Sequence, residues 1–300
     1  RTLVNEPLAR SGIRRLSPIS GIQVDLFGRC LFLSAVEKNK LCFVLNSMSG
    51  DETLRVQSPL EVNRPHMLTL DTTACDVQYD NPCFASLEID TSANNETHLI
   101  FYILDLGLNH VVKKADYKID AAANFVMGLP SLSKYGISCT KSTEGDSIYE
   151  GDEVNPFVLI AFENYILIKD MNGYYNLKVQ IPRRKNQGTQ GTSIISFALQ
   201  TLKNDFFVLL QSNLGDLFKF KIFPNQSANN TPAVSISYFD TVPQAEGLHI
   251  FKNGFLFANT EYGDSYLFQF ESLGEDEENG EGFASSAEPE KKSFFENSES

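Results

Sequence analysis

Residues 206–220 read FFVLLQSNLGDLFKF, and this stretch decides the fold class. Two apolar runs rich in Phe, Val and Leu flank the polar turn Asn213-Leu214-Gly215-Asp216. Because β-favouring runs around a short polar turn are typical of two antiparallel strands, the stretch predicts a β-hairpin.

The same pattern occurs five times along the chain. The first strands of the five hairpins begin at residues 31, 83, 157, 206 and 255, so the intervals are 52, 74, 49 and 49 residues. A period of about 50 residues, with a further strand-like stretch on each side of the hairpin, is typical of the four-stranded blades of a β-propeller. Polar insertions at residues 91–97 and 134–153 explain the long interval.

We therefore predict an all-β fold, a β-propeller of four-stranded antiparallel blades. Residues 1–270 are expected to form most of an N-terminal propeller that lacks its opening strands. Residues 271–300 contain ten acidic residues and two lysines, a net charge of −8. Such a segment cannot bury apolar area, so we expect an acidic, largely disordered loop or linker to the rest of a longer chain. A pair of β-sandwiches is the alternative fold.

The composition limits the classes of partner. The 300 residues are 42% apolar and carry a formal charge of −13, so the mean field of the chain repels phosphate backbones. No run of about 18 uncharged apolar residues is present to span a membrane. The five cysteines are odd in number and irregularly spaced. We expect reduced core thiols, typical of a cytosolic or nuclear protein, while one disulfide pair remains open.

The sequence contains no recognisable catalytic, cofactor-binding or metal-binding motif. The four histidines are far apart, and none has a Cys, His or Asp at ligand spacing. The glycine patterns of serine hydrolases, P-loops and dinucleotide-binding folds are absent. A propeller hydrolase, the enzyme alternative, would need carboxylates paired across the mouth of the propeller, such as Asp90, Asp105 and Asp264. The sequence favours a protein that is not an enzyme.

Residues 105–114 are the first candidate for partner contact. This polar segment directly follows a predicted strand and contains the candidate contact residues Asn109, His110, Lys113 and Lys114. The alternative is a solvated loop between blades, in which the glycine and asparagine residues supply turn conformations.

Arg183, Arg184 and Lys185 are the second candidate. They form the one tight basic triplet of the chain and follow a predicted strand that ends at Ile181-Pro182. We expect a loop to present them to an acidic protein surface or an RNA phosphate, with an ordinary solvated loop as the alternative.

Six stretches of the chain resemble the third subunit of splicing factor 3b and its family. The stretches are residues 34–41 (SAVEKNKL), 81–88 (NPCFASLE), 101–114, 182–184, 238–243 (YFDTVP) and 254–257. They cover much of the chain in the same order. The wider family includes the large multi-propeller subunits of the DNA-damage-binding and cleavage/polyadenylation-specificity complexes.

The resemblance implies a nuclear scaffold protein with no catalytic residues and no cofactor. Its partners would be the other splicing factor 3b subunits, which are a large helical-repeat subunit and small zinc-binding and peptide-like subunits. Its role would be branch-site recognition and spliceosome assembly, with RNA contact indirect or minor and no membrane. The alternative is the adaptor role of the DNA-damage-binding relative, which recruits substrates to a ubiquitin ligase.

Overall fold

A computed structural model describes residues 21–34, 40–47, 54–62, 64–137, 155–184, 191–223, 233–260, 263–270 and 295–296. Their regular structure is strand, apart from one short 3-10 helix at Leu132–Tyr135. The strands build five antiparallel sheets, the blades of a β-propeller, and one two-stranded pair. The all-β propeller prediction is therefore confirmed. No helix within these residues is long and apolar enough to cross a membrane.

The strands of each sheet follow one another in the chain. The first sheet contains β1 (Ile22–Val24), β2 (Cys30–Ser34), β3 (Lys40–Ser47), β4 (Leu54–Val56) and β5 (Leu60–Glu61). The second contains β6 (Met67–Ala74), β7 (Cys83–Asp90), β8 (Glu96–Asp105) and β9 (His110–Ile119). The third contains β10 (Phe125–Gly128), β11 (Phe157–Ala161), β12 (Tyr165–Asp170) and β13 (Asn176–Gln180).

The remaining strands lie in the second half of the chain. The fourth sheet contains β15 (Ile194–Thr201), β16 (Phe206–Ser212), β17 (Asp216–Phe223) and β18 (Ala233–Thr241). The fifth contains β19 (Gly247–Phe251), β20 (Phe255–Asn259) and β21 (Tyr266–Gln269). A separate two-stranded pair joins β14 (Arg183–Arg184) to β22 (Phe295–Glu296).

All five predicted hairpins are present, as β2–β3, β7–β8, β11–β12, β16–β17 and β20–β21. In the β16–β17 turn, Gly215 has a φ of +84°, which is the left-handed region that glycine enters at little cost. A Cβ atom at Gly215 would lie 2.5 Å from the carbonyl oxygen of Val242. The turn therefore requires glycine both for its backbone conformation and for the close approach of the next segment.

The burial of a strand depends on its place in the strand order of its sheet. The apolar runs β11 and β16 are buried along their whole length, and β7 is buried over its first six residues. The last strands of the second and fourth sheets, β9 and β18, are largely exposed or half-buried. Since a strand covered on both faces reads as a continuous apolar run, the hairpins dominate the sequence signal.

The chain divides into two compact units. The first comprises Arg1–Phe162, Leu167–Lys178 and Gln226–Thr231, and the second comprises Glu163–Ile166, Val179–Asn225 and Pro232–Ser300. The core of the first unit lies between the first and second sheets, where Phe32 stacks on Phe84 with ring centroids 4.8 Å apart.

In the second unit, a core joins the fourth and fifth sheets. The buried side chain of Gln211 connects this core to residues 242–245. Its amide nitrogen donates to the carbonyl oxygens of Val242 and Pro243, and its amide oxygen accepts from the backbone nitrogen of Ala245 at 2.9 Å. Each polar atom of this buried amide is thus satisfied, as burial requires.

Four of the five cysteines lie in the described residues, namely Cys30, Cys42, Cys75 and Cys83, and all four are buried free thiols. The core position expected of the thiols is confirmed for these four. Cys139 lies outside the described residues.

A buried carboxylate connects the first strands of the second and third sheets. Asp71 Oδ2 accepts a hydrogen bond from the backbone nitrogen of Val126 at 2.8 Å, and its Oδ1 accepts from that of Thr72 at 2.8 Å. Burial raises the pKa of Asp71 to about 7, because the apolar surroundings disfavour the charged form more than the two N–H donors favour it.

We predict that Asp71 makes the chain less stable as the pH rises. Its pKa is about 7 in the folded state and about 3.9 in the unfolded state, so folding takes up a proton between these values. The stabilisation is complete below about pH 4 and is lost as the pH approaches about 7, with a slope of about 1.4 kcal/mol per pH unit between about pH 5 and 6. Chemical denaturation at a series of pH values measures this slope.

Asp71→Asn should remove this part of the pH dependence, whereas Asp264→Asn, at an exposed turn, should leave it unchanged. Identical slopes for the wild-type protein and Asp71→Asn would contradict the assignment.

Candidate protein-binding edge

A buried ion pair joins the first sheet to the second. Lys40 Nζ lies 3.0 Å from Glu88 Oε1, and the two side chains are 1% and 0% exposed. The hydroxyl of Tyr102 donates to the same carboxylate oxygen at 2.8 Å. Burial lowers the pKa of Lys40, while the charge of Glu88 opposes that shift. Removing one partner of such a pair costs about 3–5 kcal/mol, because it leaves an uncompensated buried charge.

Arg64 connects the buried pair to the surface. Its guanidinium interacts electrostatically with the Tyr102 hydroxyl and lies 3.3 Å from Asp116 Oδ2. Because Tyr102 also binds Glu88, a continuous line of polar groups leads from the interior to strand β9.

Asp116, on β9, is shared by three basic side chains. Its Oδ1 lies 2.8 Å from His98 Nδ1, and its Oδ2 lies 3.0 Å from Lys113 Nζ, in addition to the contact with Arg64. Burial alone would raise the pKa of Asp116, but hydrogen bonds from Lys113 and His98 outweigh it and lower the pKa. One carboxylate therefore holds several cations at the outer edge of the second sheet.

Residues 105–114 form a hairpin turn and the start of β9, not a loop between blades. Asp105 Oδ1 accepts hydrogen bonds from the backbone nitrogens of Gly107 and Leu108 at 2.9 and 3.0 Å. Asn109 has a φ of +51°, so its role is to close the turn in the left-handed conformation. His110 then begins the strand and is exposed.

Lys113 and Lys114 differ in their surroundings although they are adjacent. Lys113 lies opposite Tyr102 and belongs to the Asp116 cluster, whereas Lys114 is the extra residue of a β-bulge and has no residue opposite it on β8. Lys114 is exposed. Of the sequence candidates, Lys114 and His110 are therefore the side chains available to a partner.

The basic triplet does not form the predicted loop. Arg183 and Arg184 make strand β14, whose backbone pairs with Glu296 and Phe295 of β22. Lys185 lies outside the described residues, as does most of the 271–300 segment. The two arginines thus lie in a short strand instead of the predicted loop, while their contact with a partner stays a prediction.

The reason is an ion pair that the sequence does not reveal. Arg184 Nε donates to Asp216 Oδ2 at 2.9 Å, and a second guanidinium nitrogen bonds to Asp216 Oδ1. The Asp216 side chain is only 2% exposed and also accepts from the Thr241 hydroxyl at 2.7 Å. The hydrogen bond to Asp216 raises the pKa of Arg184. The guanidinium therefore serves the fold of the second unit.

Two of the carboxylates considered for hydrolysis, Asp90 and Asp105, do not come together. Asp90 and Asp105 lie at opposite ends of the β7–β8 pair, since Asp90 pairs with Glu96 at the start of β8 and Asp105 ends it. Ten residues of strand separate them by roughly 30 Å, far beyond the roughly 5–10 Å of glycosidase pairs. The described residues also contain no group of three or more His, Cys, Asp or Glu side chains that could hold a metal ion.

The sheets define a β-propeller, and charged side chains lie along the outer edge of its second sheet. The sequence model of the RSE1/DDB1/CPSF1 first β-propeller matches residues 1–294, and the chain belongs to this family. The prediction made from the six stretches is thereby confirmed.

Relatives that are named as splicing factors match nearly the whole chain. Pre-mRNA-splicing factor RSE1 of Saccharomyces cerevisiae is 52% identical over 302 residues, 99% of this chain and 22% of that protein. RSE1 of Kluyveromyces lactis is 42% identical over 99% of the chain, and splicing factor 3B subunit 3 of Drosophila melanogaster is 33% identical over 97%. The chain spans about a fifth of the length of these relatives, 22%, 22% and 23% respectively.

Some residues of this site could have been found from the sequence and others could not. Three of these residues lie in stretches that carry the resemblance. Lys40 is the last but one residue of 34–41, Glu88 is the last residue of 81–88, and Tyr102 lies in 101–114. Arg64 and His98 lie in none of them, and no spacing rule links them to Asp116.

We predict that Arg184→Ala destabilises the chain by about 1–3 kcal/mol, because Asp216 keeps its burial and loses its charged partner. Lys203→Ala, at an exposed turn, is the matched control and should change stability by less than about 0.5 kcal/mol. Denaturant titration measures both. Equal, small effects for the two variants would show that Arg184 is not a structural partner of Asp216.

Proposed function

We propose that this chain is part of a non-enzymatic, protein-binding scaffold subunit of splicing factor 3b, which acts in branch-site recognition and spliceosome assembly in the nucleus. The observation that carries the proposal is the 52% identity over 99% of the chain to a protein named pre-mRNA-splicing factor RSE1. The name of the Drosophila relative, splicing factor 3B subunit 3, points to the same complex.

The partners of the scaffold would be the other splicing factor 3b subunits, namely the large helical-repeat subunit and the small zinc-binding and peptide-like ones. Stacked sheets suit this role because they hold exposed strand edges and turns on a rigid core. RNA contact would be indirect or minor, since the chain carries a formal charge of −13 and Arg184 is engaged by Asp216.

The hydrogen bonds of the polar side chains support the proposal that the protein is not an enzyme. Asp90 and Asp105 accept hydrogen bonds in turns, and His98 binds Asp116. These groups stabilise the fold, so they are not arranged as an acid and a base around a substrate.

The domain organisation proposed with this function is a propeller segment at residues 1–270 followed by an acidic linker at 271–300. Its charge of −8, ten acidic residues less two lysines, supports the linker assignment. The β14–β22 pairing attaches Phe295–Glu296 to the second unit near the end of that linker.

Affinity purification of the tagged full-length protein from nuclear extract tests this function. We expect the splicing factor 3b subunits to be recovered, and to remain after ribonuclease treatment because the contacts are between proteins. Recovery of cullin-type ubiquitin-ligase subunits instead would favour the adaptor alternative. Turnover of a glycoside by the purified protein would contradict the proposal of a scaffold without catalysis.

A further inference from the structure

Strand β9 is the outermost strand of the second sheet. Its inner side pairs with β8 along the whole strand, and its outer side has no partner strand within the described part of the chain. Such an edge presents N–H and C=O groups that can pair with another strand. Two apolar side chains are exposed at this edge. Val112 is 45% exposed, and Leu108, in the preceding turn, is 78% exposed.

The side chains along this edge carry a surplus of positive charge. Within β9 the permanent cations are Lys113, Lys114 and Lys118, and the carboxylate is Asp116. Three cations less one carboxylate leave two positive charges on the strand, in a chain of formal charge −13. Lys114 is exposed and makes no ion pair among the residues that the structure describes.

Protection against aggregation does not account for these lysines. Lys side chains on edge strands do discourage unwanted pairing between molecules. However, β18 is also an outermost strand, is nine residues long, and contains no Lys or Arg. If protection were the reason, β18 would need lysines as much as β9 does. The three lysines of β9 exceed the single Lys178 of β13, another outermost strand, and the complete lack of Lys and Arg in β18.

Building on the proposed scaffold function, we infer that β9 and Arg64 form a docking edge for an extended, acidic segment of a partner protein, which adds beside β9 as a further strand. Main-chain hydrogen bonds to the free edge would hold the segment, and the surplus cations would select acidic side chains. The exposed Leu108 and Val112 favour a protein over RNA, because phosphates gain nothing from apolar contact.

The first test is photo-crosslinking in the assembled complex. A photoreactive amino acid replaces Val112 in the full-length protein, and Lys252, on an exposed turn of the fifth sheet, is the matched control position. Mass spectrometry identifies the crosslinked segment. We expect Val112 to react with a segment of a splicing subunit in which acidic residues outnumber basic ones. Crosslinks to RNA, to a neutral or basic segment, or no crosslinks above the control would overturn the inference.

The second test uses a defined probe, a fluorescent decapeptide of alternating Glu and Val, with binding followed by anisotropy. Lys114→Glu in the full-length protein should weaken binding by about tenfold, and Lys252→Glu by less than about twofold. Lys114→Ala, which removes the cation without adding an anion, should fall between them. Equal binding by all variants would also overturn the inference.

The two proposals fail in different ways. If the wild-type protein does not recover splicing subunits, the proposed function fails, while the decapeptide still tests the acidic preference of β9. If splicing subunits are recovered but Val112 contacts no acidic segment, the scaffold function stands and the docking edge does not.

Discussion

The buried ion pair between Lys40 and Glu88 is the interaction on which the first unit depends. It places two charges between sheets that are also joined by the stacked rings of Phe32 and Phe84 and by the buried hydroxyl contact of Ser34 with Thr72. A charge in such surroundings is tolerated only where its partner stands at hydrogen-bonding distance. The pair therefore restricts how β3 and β7 can sit against each other, which apolar contacts alone do far less strictly.

The position of the outer edge follows from this restriction. Tyr102 donates to Glu88 and interacts electrostatically with Arg64, which lies 3.3 Å from Asp116 on β9. Arg64 and Lys113 on the surface are thus linked to the interior through polar interactions. The proposed docking edge, held in this way, would lose little conformational entropy when a partner binds.

The fold was predictable because its signals are local in the sequence. The site was only partly predictable because its residues have partners far along the chain. The run at 206–220 encodes its hairpin within fifteen residues, because strand propensity, turn chemistry and burial all act locally there. Asp216 looked like a polar turn residue, yet it is buried and binds Arg184, 32 positions away. Such a partner cannot be read from spacing, so the two arginines were predicted as a loop.

For the β9 edge, too, the sequence shows the candidate residues but not their contacts. Lys113 and Lys114 stand out in the sequence as charged residues after a strand, and their candidacy needed no structure. That Lys113 is held by Asp116 while Lys114 is exposed depends on the bulge in the β8–β9 register. A bulge shifts side chains by one residue, which a sequence pattern of period two does not record.

Hydrogen–deuterium exchange of the full-length protein, free and assembled with its splicing partners, tests the central claim most directly. If an acidic segment adds beside β9, backbone amides of residues 110–119 should exchange more slowly in the complex, since free N–H groups of the edge become paired. Exchange of β18, an outermost strand without lysines, should change less. Unchanged exchange at 110–119 in a complex that contains its partners would contradict the account.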